Sequence, residues 1–198
     1  MKNLDIFELR REIIHMITGI SIVLAVLFVP YAELIGFILL ILGGFISFLA
    51  TQYPIPGVSY CLCLFERECN STFPGKGVIF FFIGSLISLQ LFPRNIALAS
   101  ILILTFSDPI SHFVGANFGK TVLFNKRKYI EGTIVGIIVG GIFASFFINP
   151  LIAFAGAFVA MFLEAIEIAM AEKTVDDNLL IPLAAGTVMY LVSLRLGL

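Results

Sequence analysis

Apolar residues fill seven long runs of this chain, and short polar stretches separate them. The runs cover residues 13–29, 34–50, 78–92, 95–118, 134–148, 151–171 and 179–194. About 20 helical residues cross the roughly 30 Å hydrocarbon core of a bilayer, and fewer suffice where aromatic or basic residues anchor the ends. The pattern therefore predicts an all-α, polytopic membrane helix bundle with about seven transmembrane helices.

The composition supports a membrane location. Of 198 residues, 60% are hydrophobic and 13% are charged, and the mean hydropathy is +1.08, unlike the composition of a soluble domain. The dense apolar runs leave no room for a separate aqueous module, so residues 1–198 are expected to form a single membrane-embedded domain. The three cysteines, Cys61, Cys63 and Cys69, are interpreted as free thiols because their number is odd and no histidine is nearby.

Basic residues lie mostly in alternate loops. Ten of the 12 fall on the side of the N-terminus: Lys2, Arg10, Arg11, Arg67, Lys76, Lys120, Lys126, Arg127, Lys128 and Lys173. The other side holds Arg94 and Arg195. Since cytoplasmic loops are rich in Lys and Arg, this split predicts a cytoplasmic N-terminus and an external C-terminus. We expect an integral membrane protein with its polar site facing the cytoplasm, in the plasma membrane of a prokaryote or the endoplasmic reticulum of a eukaryote.

An acid interrupts the fourth apolar run. An ionised carboxylate such as Asp108 is costly inside a membrane and is usually retained for a function. The following Pro109 removes a backbone hydrogen bond, which predicts a kink or break beside the carboxylate. Polar and small residues continue along the same helix face, at Ser111, His112, Gly115 and Gly119. The alternative is a packing stripe of small residues with a buried, protonated Asp108.

The string GANFGKT, residues 115–121, resembles a Walker phosphate-binding loop. It is one residue short and follows a membrane helix, where a Walker loop needs a preceding strand. We therefore reject the P-loop fold but keep Gly119 and Lys120 as candidates for contact with a phosphate.

The segment 125–133 combines cations with a helix start. Asn125, Lys126, Arg127 and Lys128 precede Glu131, Gly132 and Thr133. A polyanion such as a nucleoside triphosphate needs several cations and backbone amides at a helix start, and this segment supplies both. Simpler interpretations remain open, since glycines at 132, 136 and 140 suit helix packing and basic loop residues set topology.

Further acids follow the sixth run. Glu164 and Glu167 lie one helical turn apart, and Asp176, Asp177 and Asn178 precede the last run. Hard oxygen ligands of this kind suit Mg²⁺. An Asp-Asp-Asn sequence before a helix equally predicts an N-cap, and both interpretations can hold for one residue each.

Together these strings resemble the CTP-dependent lipid kinase family, which includes dolichol and polyprenol kinases, phytol kinase and CTP-dependent diacylglycerol kinase. The resemblance covers nearly the whole chain. It rests on LRREIIH at 9–15, FERE and GKGVIFFFIG within 65–84, SDPISHFVGANFGK at 107–120, KYIEGTIVG at 128–136, and Glu164 with DDNLLIP at 176–182. The chain departs from the family pattern at Glu12, Ser107 and Tyr129.

The resemblance implies transfer of the γ-phosphate of CTP to a lipid alcohol at the cytoplasmic face, with a divalent metal, expected to be Mg²⁺. It implies catalytic roles for Asp108, Lys120 and Glu131, and metal ligation by Asp108, Glu131 and Asp177. Asp108 would either ligate the metal or accept the proton of the lipid hydroxyl. The residues implied to bind the nucleotide are Arg10, Arg11, Gly115, Gly119, Lys120, Lys128, Gly132 and Asn178.

The expected partners are CTP and a membrane lipid alcohol of the polyprenol or dolichol type, and no nucleic acid. A diacylglycerol or phytol acceptor is the first alternative. A CDP-lipid synthase is a second, although its glycine- and aspartate-rich signature near the C-terminus is not found in this sequence. A transporter is a third, but it predicts repeated halves with paired broken helices, and the sequence contains no convincing repeat.

Overall fold

Seven long helices make up most of the chain. A computed structural model describes residues 6–53, 55–58, 60, 73–123, 128–170 and 176–197. Within these ranges the helices are α1 (Ile6–Phe28), α2 (Ala32–Gln52), α3 (Lys76–Leu91), α4 (Arg94–Phe118), α5 (Ile130–Ala144), α6 (Pro150–Met170) and α7 (Asp177–Leu196). By length and composition, α1, α2, α4 and α7 can each cross a membrane, and the other three are shorter and apolar. The predicted all-α membrane bundle is confirmed.

Most helix boundaries differ from the predicted runs by one to seven residues, and the start of α1 and the end of α5 show why. α1 begins at Ile6, before its apolar run, and its polar first turns are joined by an ion pair of 3.0 Å between Arg11 and Glu8. α5 ends at Ala144, because the next residues form a tight turn in which the Phe147 amide bonds to the Ala144 carbonyl at 3.0 Å. Apolar runs predict where a helix is buried in lipid, and caps and turns decide where it ends.

α4 is the central helix. It contacts α1, α3, α5, α6 and α7, and its buried side chains form much of the core. The predicted break at Pro109 is absent, since α4 continues through this residue to Phe118. The ring of Pro109 is fully buried, and packing on several sides offsets the one backbone hydrogen bond that proline cannot form.

α5 packs closely against α4 because glycines line the contact. A side chain at Gly132 would collide with the Ser111 carbonyl, and one at Gly136 or Gly140 would meet Ser107. Close helix contact through small residues is a common device in membranes. Helix packing therefore accounts for the four-residue spacing of these glycines.

Polar residues gather at one end of the bundle. There Lys76 of α3 pairs with Asp176 just before α7. At the opposite end, Arg94 donates to the Val26 carbonyl, and Gln90 donates to Glu33 at 2.8 Å. This one-sidedness agrees with the charge pattern, while the orientation relative to the cytoplasm stays a prediction. Several residues of the sequence analysis lie outside the described residues: Lys2, Cys61, Cys63, Arg67, Cys69, Asn125, Lys126, Arg127, Lys173 and the side chain of Glu167.

The contact between α3 and α7 provides a test of this packing. Gly84 lies against the backbone carbonyl of Asn178, so Gly84→Ala should force the two helices apart. Overpacking of this kind costs about 1–3 kcal/mol, and we expect a lower thermal unfolding midpoint in detergent. Gly43→Ala is the matched control, because a side chain there meets nothing within 4 Å. Equal midpoints for the two variants would contradict this account.

Candidate active site

Three carboxylates from three helices meet toward the polar end of the bundle. Asp108 of α4, Glu164 of α6 and Asp177 of α7 each place one oxygen within 4.8 Å of the others. The Glu164 side chain is 1% exposed and that of Asp108 is 15% exposed. Like charges this close destabilise one another strongly when they are buried, so a neighbouring cation stabilises the ionised form of this carboxylate triad.

Lys128 supplies one positive charge. Its Nζ lies 3.5 Å from Asp108 Oδ1 and donates to Glu164 Oε1. Burial lowers the pKa of Lys128, but Glu164 and Asp108 outweigh that effect and raise it above its usual value. Lys128 is therefore held as an ammonium ion. When all three carboxylates are ionised, one ammonium leaves negative charge uncompensated.

The triad has the donor chemistry of a divalent cation site. Its ligands are carboxylate oxygens, which Mg²⁺ prefers. Glu164 Oε2 is buried and has no hydrogen-bond partner among the described residues, although buried polar atoms are normally satisfied. Both the negative charge of the fully ionised triad and this unpaired oxygen fit a bound divalent cation.

The start of α7 separates two adjacent acids. Asp176 is the N-cap, and its Oδ1 accepts hydrogen bonds from the Asn178 backbone at 3.3 Å and the Asn178 side-chain amide at 2.8 Å. Its Oδ2 pairs with Lys76 at 3.3 Å. Asp177, the next residue, belongs to the carboxylate triad. Asp176 thus caps the helix while Asp177 enters the site, so the two interpretations of the Asp-Asp-Asn sequence apply to one residue each.

A second polar cluster joins α1 to α4. The Arg11 guanidinium lies 3.0 Å from both Glu8 and Glu12, and His112 Nδ1 lies 3.3 Å from Glu12. The Glu12 side chain is 8% exposed. This buried carboxylate therefore holds an arginine from its own helix and a histidine from α4, and so fixes where the guanidinium lies.

The loop from α4 to α5 returns on itself. Leu123 N donates to the Lys128 carbonyl at 2.8 Å, and Ile130 N donates to the Thr121 carbonyl at 2.9 Å. Both carboxylate oxygens of Glu131 accept from Thr121 N, at 3.0 and 3.2 Å. These bonds close the base of the loop and bring Lys128 back over the bundle.

Comparison with known proteins identifies relatives of this chain. No protein-family model and no solved structure matches the chain. An uncharacterized protein of Methanocaldococcus jannaschii is 34% identical over 88% of both chains. A CTP-dependent diacylglycerol kinase of Schizosaccharomyces pombe is 30% identical over 64% of this chain and 63% of its own length. These relatives support the resemblance of this chain to the CTP-dependent lipid kinase family.

A third relative is named for a different activity. A phosphatidate cytidylyltransferase of Aquifex aeolicus is 30% identical over 46% of this chain and 38% of its own length. The similarity thus extends beyond enzymes named as kinases.

Two of the three metal ligands predicted from the kinase family lie in the triad. Asp108 and Asp177 meet there, whereas Glu131 does not belong to this group and instead accepts from the Thr121 amide. Glu164 is the third member. Its position inside an apolar run, where acids are usually functional, was the sequence signal for it.

The nucleotide-binding residues implied by the kinase resemblance are dispersed. Arg10 and Lys120 are exposed, while Arg11 and Lys128 are paired with acids. The glycines Gly115, Gly119 and Gly132 pack against Tyr129 or the α4 backbone, and Asn178 bonds to Asp176. Their contact with a nucleotide stays a prediction.

Two contacts of the site join residues that are far apart in the sequence. The pairing of Lys128 with Asp108 spans 20 residues, and that of His112 with Glu12 spans 100. No local pattern reports such a pair. Glu12 departs from the basic residue common in the family motif, and its carboxylate contacts both Arg11 and His112.

The N-cap of α7 can be tested by two substitutions. Asp176→Ala removes the cap and the pair with Lys76, and loss of an N-cap costs about 0.5–2 kcal/mol. Asp176→Asn keeps an oxygen that caps the helix. We expect the alanine variant to unfold at a clearly lower temperature than the asparagine variant in detergent. Wild-type stability for Asp176→Ala would show that the cap is unimportant.

Proposed function

We propose that this protein is a CTP-dependent lipid kinase, which transfers the γ-phosphate of CTP to the hydroxyl group of a membrane lipid alcohol. The observation that carries the proposal is the buried triad of Asp108, Glu164 and Asp177, paired with Lys128, at the polar end of a membrane bundle. The family relationship to a CTP-dependent diacylglycerol kinase supports the choice of nucleotide.

Phosphoryl transfer depends on positioning and on neutralisation of phosphate charge. Asp108, Glu164 and Asp177 would hold Mg²⁺, which when bound supplies positive charge to the phosphate oxygens. Arg11, Lys120 and Lys128 would contact the triphosphate. Of these, Arg11 is fixed by Glu12, while Lys120 is exposed to an incoming nucleotide.

In the transfer step, the lipid hydroxyl oxygen attacks the γ-phosphorus. The bond from that phosphorus to the bridging oxygen of the β-phosphate breaks, and CDP leaves. The hydroxyl proton goes to a carboxylate, and Asp108 is the proposed acceptor because it is 15% exposed, whereas Glu164 is 1% exposed. Ligation of the metal by Asp108 is the alternative role.

The acceptor is a lipid alcohol that approaches from the membrane. Exposed apolar side chains cover the outer faces of the helices, so a lipid can reach the polar end without leaving the bilayer. The S. pombe relative favours diacylglycerol, whereas the sequence motifs favour a polyprenol or dolichol-type alcohol. The charge split between loops supports a site on the cytoplasmic face.

A cytidylyltransferase is the second candidate, and the A. aeolicus relative favours it. Such an enzyme also brings together a cytidine nucleotide, a divalent metal and a membrane lipid. There a phosphatidate oxygen would attack the α-phosphorus of CTP, and pyrophosphate would leave. The two reactions therefore differ in which phosphorus atom enters the lipid.

Labelled CTP separates these two functions. Purified protein with Mg²⁺ should move label from γ-labelled CTP, and none from α-labelled CTP, into a lipid alcohol. The acceptor panel contains diacylglycerol, polyprenol, dolichol and phytol, with phosphatidate as the cytidylyltransferase substrate. Label from α-labelled CTP in phosphatidate would favour the second candidate. No labelled lipid from either nucleotide, with intact protein, would reject both.

The proposed role of Asp108 predicts a large loss of turnover from a substitution that keeps the shape of the side chain. Asp108→Asn keeps the shape of the side chain but removes its charge and basicity, and we expect turnover to fall by about 100-fold or more. Glu33→Gln makes the same chemical change at the opposite end of the bundle and should keep full turnover. Thermal unfolding in detergent establishes that both variants are folded. Full turnover by Asp108→Asn would exclude Asp108 from the reaction.

A further inference from the structure

Lys128 pairs with the same carboxylates that would ligate a metal. Its ammonium contacts Asp108 Oδ1 and Glu164 Oε1, and oxygens of both residues belong to the triad. Divalent cations bind carboxylate oxygens at about 2.0–2.6 Å. Because the triad oxygens lie within 4.8 Å of one another, a cation held by all three would lie within a few ångströms of the ammonium.

We propose that Lys128 and the divalent cation exclude one another at the carboxylate triad, so that Lys128 is a resident counterion which metal binding releases. This inference rests on the proposed function, since it assumes that the triad is the metal site. To the proposed function the inference adds an exchange, in which the divalent cation replaces the Lys128 ammonium at the triad.

Electrostatics favours exchange over joint occupancy. A divalent cation and an ammonium a few ångströms apart repel each other strongly, and burial weakens the screening of that repulsion. The Lys128 side chain is 13% exposed and lies beside the almost fully buried Glu164. A divalent cation would compensate the carboxylates better than one ammonium does, so the lysine is the group that leaves.

The released Lys128 ammonium would be available to a bound nucleotide. Lys128 lies just before the first turn of α5, at the base of the closed loop. From there it could contact the triphosphate of a bound nucleotide. A nucleotide that draws Lys128 away would in turn strengthen metal binding, because coupling between two ligands is reciprocal. Metal and nucleotide would thus promote each other's binding through one side chain.

Metal binding without nucleotide tests the exchange. Mn²⁺ alone is titrated into detergent-purified protein and followed calorimetrically. Lys128→Met removes the competing ammonium, and we expect it to bind Mn²⁺ about tenfold or more tightly than wild type. Lys128→Arg keeps the charge and should bind as weakly as wild type. Lys120→Met removes the same charge from an exposed position in the same loop and should leave the affinity near the wild-type value.

A second measurement uses wild-type protein and does not require the variants to fold. An amine-specific acetylating reagent is applied with and without Mn²⁺, and modification is quantified by mass spectrometry. Release by the metal should increase acetylation of Lys128 by about tenfold. Lys120 is exposed in either case and serves as the internal control. Unchanged or reduced acetylation of Lys128 in Mn²⁺ would overturn the exchange.

The outcomes distinguish this inference from the proposed function. Equal Mn²⁺ affinity of wild type and Lys128→Met, with binding lost in Glu164→Gln, would reject the exchange and retain the metal site. No Mn²⁺ binding to either protein would reject both the exchange and the metal site. Kinase activity is measured separately with γ-labelled CTP, so its loss or presence does not decide the exchange.

Discussion

The central constraint on this bundle is the cost of burying negative charge. Asp108, Glu164 and Asp177 come from three helices, and burial of ionised carboxylates is unfavourable unless a cation lies beside them. Lys128 supplies that cation from a loop. The bonds that close the loop, including those from Thr121 to Glu131, therefore position the charge on which the buried site depends. Glu131 thus contributes to the site through Lys128, at a distance from the triad itself.

Close helix packing makes this arrangement possible. Gly132 lets α5 approach the Ser111 carbonyl on α4, and Gly84 lets α3 approach the Asn178 carbonyl on α7. Without hydrophobic driving force between helices in lipid, such small-residue contacts are a main source of association. They set how closely α5 approaches the helix that carries Asp108 and how closely α3 approaches the helix that carries Asp177. Packing and charge placement are therefore two consequences of the same contacts.

The sequence predicts the helices well because apolar runs report directly on lipid burial. It also indicates that Asp108 and Glu164 are functional, since acids inside apolar runs are rare. The Asp-Asp-Asn sequence allowed one acid to cap α7 and the other to enter the site, as Asp176 and Asp177 do. It did not predict the partners of these acids. The pairs of Lys128 with Glu164 and His112 with Glu12 join distant segments, and only tertiary packing determines them. The continuity of α4 through Pro109 has the same origin, because neighbouring helices pack around this segment.

The charge balance of the site also bears on the choice between the two proposed reactions. Five cations of the described residues lie toward the polar end: Arg10, Arg11, Lys76, Lys120 and Lys128. Three of them, Arg11, Lys76 and Lys128, are already paired with acids. A triphosphate brings several further negative charges, which a divalent cation and the two remaining cations, Arg10 and Lys120, would have to compensate. A lipid alcohol adds none, whereas phosphatidate adds a charged phosphate beside a buried acidic triad. Electrostatics at this site therefore favours a neutral hydroxyl acceptor, and with it transfer of the terminal phosphate.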